Sequence, residues 1–239
     1  MSPETRKVAA EHAQAEFPNE ACGLVIVKRG KERFWPCRNI AIDPRDQFIL
    51  APEDYAAASE AGEIVEVFHS HVYVPASPSQ ADRVACEATG LRWSILSLPT
   101  HAWAEFEPSG YEAPLIGRVH VWGVVDCWTV VRDWYAREWG IELIDVPRTR
   151  DYWLTGDDIL GGNVKAAGFY DVPEESDLEL GDVLLMQTGD STVANHCALY
   201  IGDDQILHHA EGRLSSREVY GGWYKKHTVR RVRHANRPA

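Results

Sequence analysis

The chain lacks an excess of positive charge, a long apolar run, paired cysteines and an internal repeat, and each absence removes a class of function. Its 24 Lys and Arg residues face 36 Asp and Glu, a formal net charge of −12 over 239 residues. The basic footprint of a general nucleic-acid binder is therefore missing. Some basic character gathers late, at Arg230, Arg231, Arg233 and Arg237, where a solvated terminus is the expectation. No stretch approaches the roughly 18 apolar residues that a bilayer crossing needs. The polar start MSPETRKVAAEHAQ has no secretory core, so retention in the cytoplasm is expected. Cys22, Cys37, Cys86, Cys127 and Cys197 show no Cys-x-x-Cys spacing, which points to reduced thiols and not to a disulfide framework. With 18 Gly and 13 Pro the chain is neither collagen-like nor of low complexity, and its hydrophobic fraction of 45 % is that of a globular protein.

What is present reads as two halves in an α+β order. The stretch EPSGYEAPLIGR clusters Pro and Gly and marks a break. Domains are expected over residues 1–110 and 119–239, with a linker at 111–118. In the first half, Ser2 and Pro3 start a helix that Pro18 stops. CGLVIV and RFWPC flank Arg29-Gly30 as a hairpin. EIVEVFHSH reads as a strand, SPSQADRVACEATG as a helix closed by Gly90, and WSILSLP and AWAEFEP as strands. In the second half, a helix spans Cys127 to Trp139 before Gly140, and a short one lies near Asp158 to Ala167. LGDVLLMQ, ANHCALYIG and QILHHAEG read as antiparallel strands.

In the first half, His69 and His71 stand at i and i+2, so on a strand both imidazoles leave one face and reach one metal ion. An isolated His-x-His is usually only a polar strand edge. Here Ser79 and Asp82 follow within SPSQAD. Ser77 as N-cap, Pro78 at the first helical position and Gln80 as capping-box partner account for the helix start. Ser79 and Asp82 are then left over, three residues apart on one helical face. Two nitrogens and a carboxylate oxygen with one open position are the ligand logic of a catalytic zinc, which still requires a general base.

The pattern His-x-His-x7-Ser-x2-Asp resembles the JAMM metallopeptidases, and PNEACGLVIV resembles the family's upstream glutamate segment. The resemblance implies an α/β, MPN-like fold with zinc (Zn2+) held by His69, His71 and Asp82. It further implies that Glu20 holds and deprotonates the water and that Ser79 stabilises the oxyanion.

In the second half, Cys127 follows Asp126 at a helix start, where the dipole lowers a thiol toward its reactive thiolate. The other four cysteines are expected to be small buried hydrophobes. A thiolate needs a base and the base an orienting group. His196 opens the strand HCALYIG, and the chain returns through QILHHA. A two-residue turn at Asp203-Asp204 pairs Gly202 with Gln205 and aligns His209 with the His196 face. A three-residue loop puts His208 there instead.

Asp-Cys-Trp at a helix start, then Leu-x-x-Gly-Asp-Val-Leu-Leu, then His-x-Ala-x-Tyr-Ile-Gly-Asp-x-x-x-Leu-His, resembles the NlpC-type cell-wall peptidases. That resemblance implies a compact papain-like fold with Cys127 as nucleophile, His196 as general base and His208 as orienter. It leaves His209 without a role. The implied substrate is a peptidoglycan stem peptide. Trp128 departs from the family, many of whose cellular members carry Ser and then Gly there. The pairing of these two domains in one chain, with LHHAEGRLSSREVYGGWY near its end, resembles a family of tail tip proteins of long-tailed bacteriophages. This implies synthesis in the host cytoplasm and partners among other tail tip proteins. It does not separate a peptidase from an assembly factor that processes or chaperones another tail protein. A ubiquitin-like deconjugase for the first half and an acyltransferase or amidase for the second are the further alternatives. Nine tryptophans suit a sugar- or peptide-binding groove, although packing accounts for most of them.

Overall fold

The computed structural model describes residues 1–238 and divides into two compact units, Met1–Glu112 and Ala113–Ala239. In the first, helix α1 (Pro3–Glu16) is capped by the Ser2 side chain, with Pro3 in its first turn. Strands β1 (Cys22–Lys28) and β2 (Lys31–Cys37) pair across Arg29 and Gly30. Both turn residues have positive φ, 51° and 73°, as a two-residue hairpin turn of matching twist requires. Helix α2 (Pro52–Ala61), β3 (Glu63–His71), α3 (Gln80–Thr89), β4 (Arg92–Ser97) and β5 (Trp103–Phe106) complete the unit. The sheet order is β2-β1-β3-β4-β5, with β3 and β4 parallel across α3 and the other neighbours antiparallel.

Strand parity sorts this sheet into two apolar faces. Leu24, Ile26 and Val67 pack with Ala58 of α2 and Cys86 of α3, whereas Phe68 and Leu96 pack with Ala9 and Ala13 of α1. His69 and His71 share the parity of Val67 and so emerge on the α3 side, while Ser70 turns to the opposite face.

The second unit is built on α4 (Cys127–Trp139), whose Val130, Val131, Trp134 and Tyr135 enter the main core with Val183, Leu185, Cys197, Leu199 and Leu207. A 3₁₀ turn (Tyr152–Thr155), α5 (Ile159–Gly162), β6 (Phe169–Asp171), β7 (Val183–Met186), β8 (His196–Gly202), β9 (Gln205–His208), β10 (Ser216–Val219), α6 (Gly222–His227) and β11 (Thr228–His234) follow. The antiparallel sheet runs β10-β9-β8-β7-β11-β6.

Three sequence expectations need correction here. The late arginines do not form a solvated tail: they lie on or beside β11, which inserts between β7 and β6. Arg233 pairs with the buried Asp182 at 2.7 Å and Arg230 with Asp171 at 2.6 Å. The helix expected near Asp158 to Ala167 ends at Gly162, since Gly161-Gly162 is a poor helix interior and turns carry the rest. Residues 113–118 pack as part of the second unit. Arg118 there is buried, donates to the Ala113 carbonyl at 2.9 Å and pairs with Asp133 at 2.7 Å.

Candidate functional site

In the first unit, His69, His71 and Asp82 converge, each offering a ligand atom within 4.8 Å of the others, and all three are buried. Nε2 of His69 lies 3.2 Å from Nε2 of His71 and 3.4 Å from Asp82 Oδ1, and Asp82 Oδ2 lies 3.7 Å from His71 Nε2. His71 Nδ1 donates to the Pro75 carbonyl at 2.6 Å, which leaves Nε2 as the nitrogen with a lone pair. Phe48 stacks on His69 at 4.6 Å, and His69 Nδ1 is buried without a hydrogen-bond partner among the described residues. Two imidazole nitrogens facing each other beside a carboxylate, all withdrawn from water, fit a divalent cation of the zinc type.

The start of α3 differs from the sequence expectation. Ser79, not Ser77, is the N-cap, and Asp82, not Gln80, completes the capping box. Ser79 Oγ accepts from the Asp82 amide at 3.1 Å, and Asp82 Oδ2 accepts from the Ser79 amide at 2.7 Å. The two residues treated as left over are thus the cap itself. The cap uses Ser79 Oγ only as an acceptor, so its hydroxyl hydrogen stays available for donation.

Glu20 immediately precedes the β1 pairing, in which Cys22 faces His69, so the register carries Glu20 level with His71. Its amide donates to the Pro44 carbonyl at 2.6 Å and its carbonyl accepts from Asn39 Nδ2 at 2.9 Å. Burial pushes the Glu20 carboxyl up to about 8, with the His71 charge opposing and Asp82 adding. Burial pushes His69 down to about 4. Asp82 is held well below the usual carboxylate range: burial opposes this, and the His69 charge with hydrogen bonds from His71 and Ser79 outweighs it.

In the second unit, Asp126 caps α4, accepting from the amides of Trp128 at 3.0 Å and Thr129 at 3.1 Å, and Cys127 occupies the first helical position. Hydrogen bonding from Cys197 and from His196 lowers the Cys127 thiol well below its ordinary value against the opposing effect of burial. His196 Nε2 lies 3.1 Å from His208 Nδ1, and His208 Nε2 lies 3.2 Å from the Tyr224 hydroxyl. A chain of contacts therefore runs Cys127–His196–His208–Tyr224. Its His196, His208 and Tyr224 line a cleft of about 550 Å³ together with His120, Trp122 and Trp153, and Cys127 is buried behind them.

The register left open in the sequence is resolved by a bulge. The turn has two residues, Asp203 and Asp204 (φ 50° and 52°), and Gly202 does pair with Gln205. The register then shifts between Tyr200 and Gly202, so that Ala198 faces His208. One extra residue in β8 thus gives the short turn and still puts His208 on the His196 face. His209 lies against His120, ring centroids 4.8 Å apart.

Sequence reasoning missed three residues of this neighbourhood. Cys197 is buried as expected, but it also touches the thiol. Tyr224 had only its place in the GGWYKKH block to mark it. Arg148, at 2.5 Å from Asp126, comes from a stretch without periodicity and gave no signal.

A His-His-Asp cluster that could hold a metal ion stands in one unit and a thiol beside an imidazole pair in the other, and each unit has its own counterpart among known families. Residues 2–110 match the model for prokaryotic homologs of the JAB domain, and residues 117–233 match the NlpC/P60 family. The chain is 36 % identical over 238 residues to the tail tip assembly protein K of Escherichia phage N15, covering 98 % of this chain and 96 % of that one. It is 38 % identical over 185 residues to the tail tip assembly protein K of Escherichia phage lambda, covering 77 % and 89 %. The chain belongs to the tail tip assembly protein K family. Among solved structures, an NLP/P60-family protein of Staphylococcus aureus subsp. aureus Mu50 covers 50 % of this chain and 37 % of its own, at 16 % identity and a TM-score of 0.35.

Proposed function

We propose that the second unit is a cysteine endopeptidase that cuts peptidoglycan stem peptides, and that the first is a zinc-dependent peptidase or isopeptidase, both serving the tail tip. The observation that carries the first part is the Cys127–His196–His208 chain at a helix N-terminus beside an aromatic cleft. Proton transfer from the Cys127 thiol to His196 gives a thiolate–imidazolium pair. The doubly protonated His196 donates from Nε2, so His208 Nδ1 accepts and His208 Nε2–H donates to Tyr224. The thiolate adds to the scissile carbonyl, and His196 returns the proton to the leaving amine as the C–N bond breaks. Water then releases the acyl group from sulfur. The Cys127 amide, which the Asp126 cap does not use, is suited to stabilise the oxyanion.

In the first unit, His69, His71 and Asp82 would hold the zinc, which when bound supplies Lewis acidity and lowers the pKa of water. Glu20, carried level with His71 by the strand register, is suited to accept a proton from water, and the free hydroxyl hydrogen of Ser79 to stabilise an oxyanion. The relatives' name, tail tip assembly protein, supports a second reading in which the first unit processes or chaperones another tail protein and wall hydrolysis is secondary. Other tail tip proteins are the partners in either case, with the host cytoplasm as the place of assembly and the tail tip as the place of use. No helix among the described residues is long and apolar enough to cross a membrane.

The test is digestion of purified peptidoglycan by the wild type, Cys127→Ala and His69→Ala, with products identified by mass. Loss of cleavage in Cys127→Ala alone is the expected result. Absence of cleavage by the wild type would favour the assembly reading.

A further inference from the structure

After α4 ends at Trp139, residues 141–148 return along the helix toward its N-terminus. Three contacts fasten them: Arg132 Nε donates to the Leu143 carbonyl at 3.3 Å, Trp128 Nε1 to the Ile144 carbonyl at 3.1 Å, and Arg148 Nη2 to Asp126 Oδ1 at 2.5 Å. The Trp128 indole pins this strap. Arg148 and Asp126 are both withdrawn from water, with side-chain exposures of 1 % and 0 %. Arg148 Nη1 donates to the Val146 carbonyl at 2.6 Å and reaches Asp145 at 3.2 Å. The Arg148 carbonyl meets Gly123, where an added Cβ would stand 2.8 Å away and φ is +74°. The backbone on both sides of the pair is therefore fixed.

A buried carboxylate one residue before the nucleophile creates a conflict. Asp126 caps α4 as a carboxylate held ionised beside Arg148, and a bare anion there would repel a Cys127 thiolate. We propose that Arg148 is a positioning residue for Cys127: its guanidinium neutralises the Asp126 cap from the strap side and thereby lets a cap and a thiolate stand next to each other at one helix end. The other titratable groups around the sulfur are His196 and Cys197 on β8, His120 before α4 and Tyr152 on the 3₁₀ turn, and none of these supplies a permanent positive charge. This inference rests on the cysteine-peptidase reading of the second unit, but its test needs no substrate.

The test is the rate at which iodoacetamide alkylates Cys127 in the full chain as a function of pH, read by mass on the peptide that bears it. For the wild type a midpoint below the ordinary thiol value of about 8.5 is expected. Arg148→Met should raise that midpoint by about one pH unit, a tenfold loss of thiolate at a given pH. Arg148→Lys, which keeps the charge, should recover most of the shift. Arg148→Met combined with Asp126→Asn, which removes the anion and keeps an acceptor for the helix amides, should return the midpoint to that of the wild type. A folded Arg148→Met with an unchanged midpoint would overturn the assignment, as would a double variant whose midpoint stays high. If Arg148→Met does not fold, the double variant decides: a wild-type midpoint supports the role, and failure to fold confines Arg148 to structure and overturns it. A wild-type midpoint at or above 8.5 would instead remove the cysteine-peptidase reading itself.

Discussion

At the scale of single residues, the two neighbouring histidines make opposite predictions. His208 touches His196 at 3.1 Å, whereas His209 lies against His120. His208→Gln should lower the turnover of a wall-peptide substrate by about 10² or more, the range for disturbing a general base. His209→Gln should leave turnover within a few-fold. Steady-state kinetics on the two variants checks this, and equal losses would void the assignment of His208. Asp82 separates a ligand from a cap. Asparagine keeps an oxygen for the Ser79 amide but no negative charge for a cation. Asp82→Asn should therefore abolish zinc binding, measured by metal analysis after purification without chelator, while its urea midpoint of unfolding in chelator stays close to that of the wild type in chelator. A zinc content equal to the wild type would remove Asp82 from the ligand set.

At the scale of elements, the turn between β8 and β9 is strained where glycine is absent. Asp203 and Asp204 both hold positive φ, the arrangement for which Asn-Gly is the favoured pair. Asp203→Asn with Asp204→Gly should stabilise the second unit by up to about 1 kcal/mol, read from the urea midpoint, and should leave the His196–His208 contact in place. This turn also marks what the sequence could and could not disclose. The strands and the two possible registers followed from apolar alternation, and the choice between a two-residue turn and a three-residue loop did not. The bulge between Tyr200 and Gly202 has no marker of its own, because the residue it accommodates, Ile201, is an ordinary strand former. The same division holds at α3. Its existence and its Gly90 end were legible, and His69, His71 and Asp82 were found by their spacing. The choice of Ser79 over Ser77 as cap depends on where the chain leaves β3, which local chemistry does not specify. Helix α2 went unread because PEDYAAASEA carries little apolar periodicity, and β11 because its arginines resembled a tail until Asp171, Asp182 and Glu179 paired with them.

At the scale of the whole molecule, the two compact units predict separable stability. Fragments 1–112 and 113–239 should each unfold cooperatively, and chelation should lower the melting temperature of the first fragment only, since a ligand stabilises the fold that binds it. An effect of chelator on the second fragment would contradict this. Acid should weaken the second fragment. His208 and His209 are pushed down by burial to about 3 and about 4, from 6.5. Below about pH 6.5 the unfolded chain therefore takes up protons that the folded one refuses, and stability falls as pH drops toward 4, by about 1 kcal/mol per pH unit for each histidine. Urea titrations at pH 7.5, 6 and 5 would read this as a falling midpoint, and His209→Gln should flatten the slope. The shared duty of Asp82 reaches further. One oxygen faces His69 while the other accepts the Ser79 amide at 2.7 Å, so a cation seated on the histidines also tethers the first turn of α3. Hydrogen–deuterium exchange at that single amide becomes a gauge of occupancy, slow when the site is filled and fast when it is stripped, legible where no substrate is at hand.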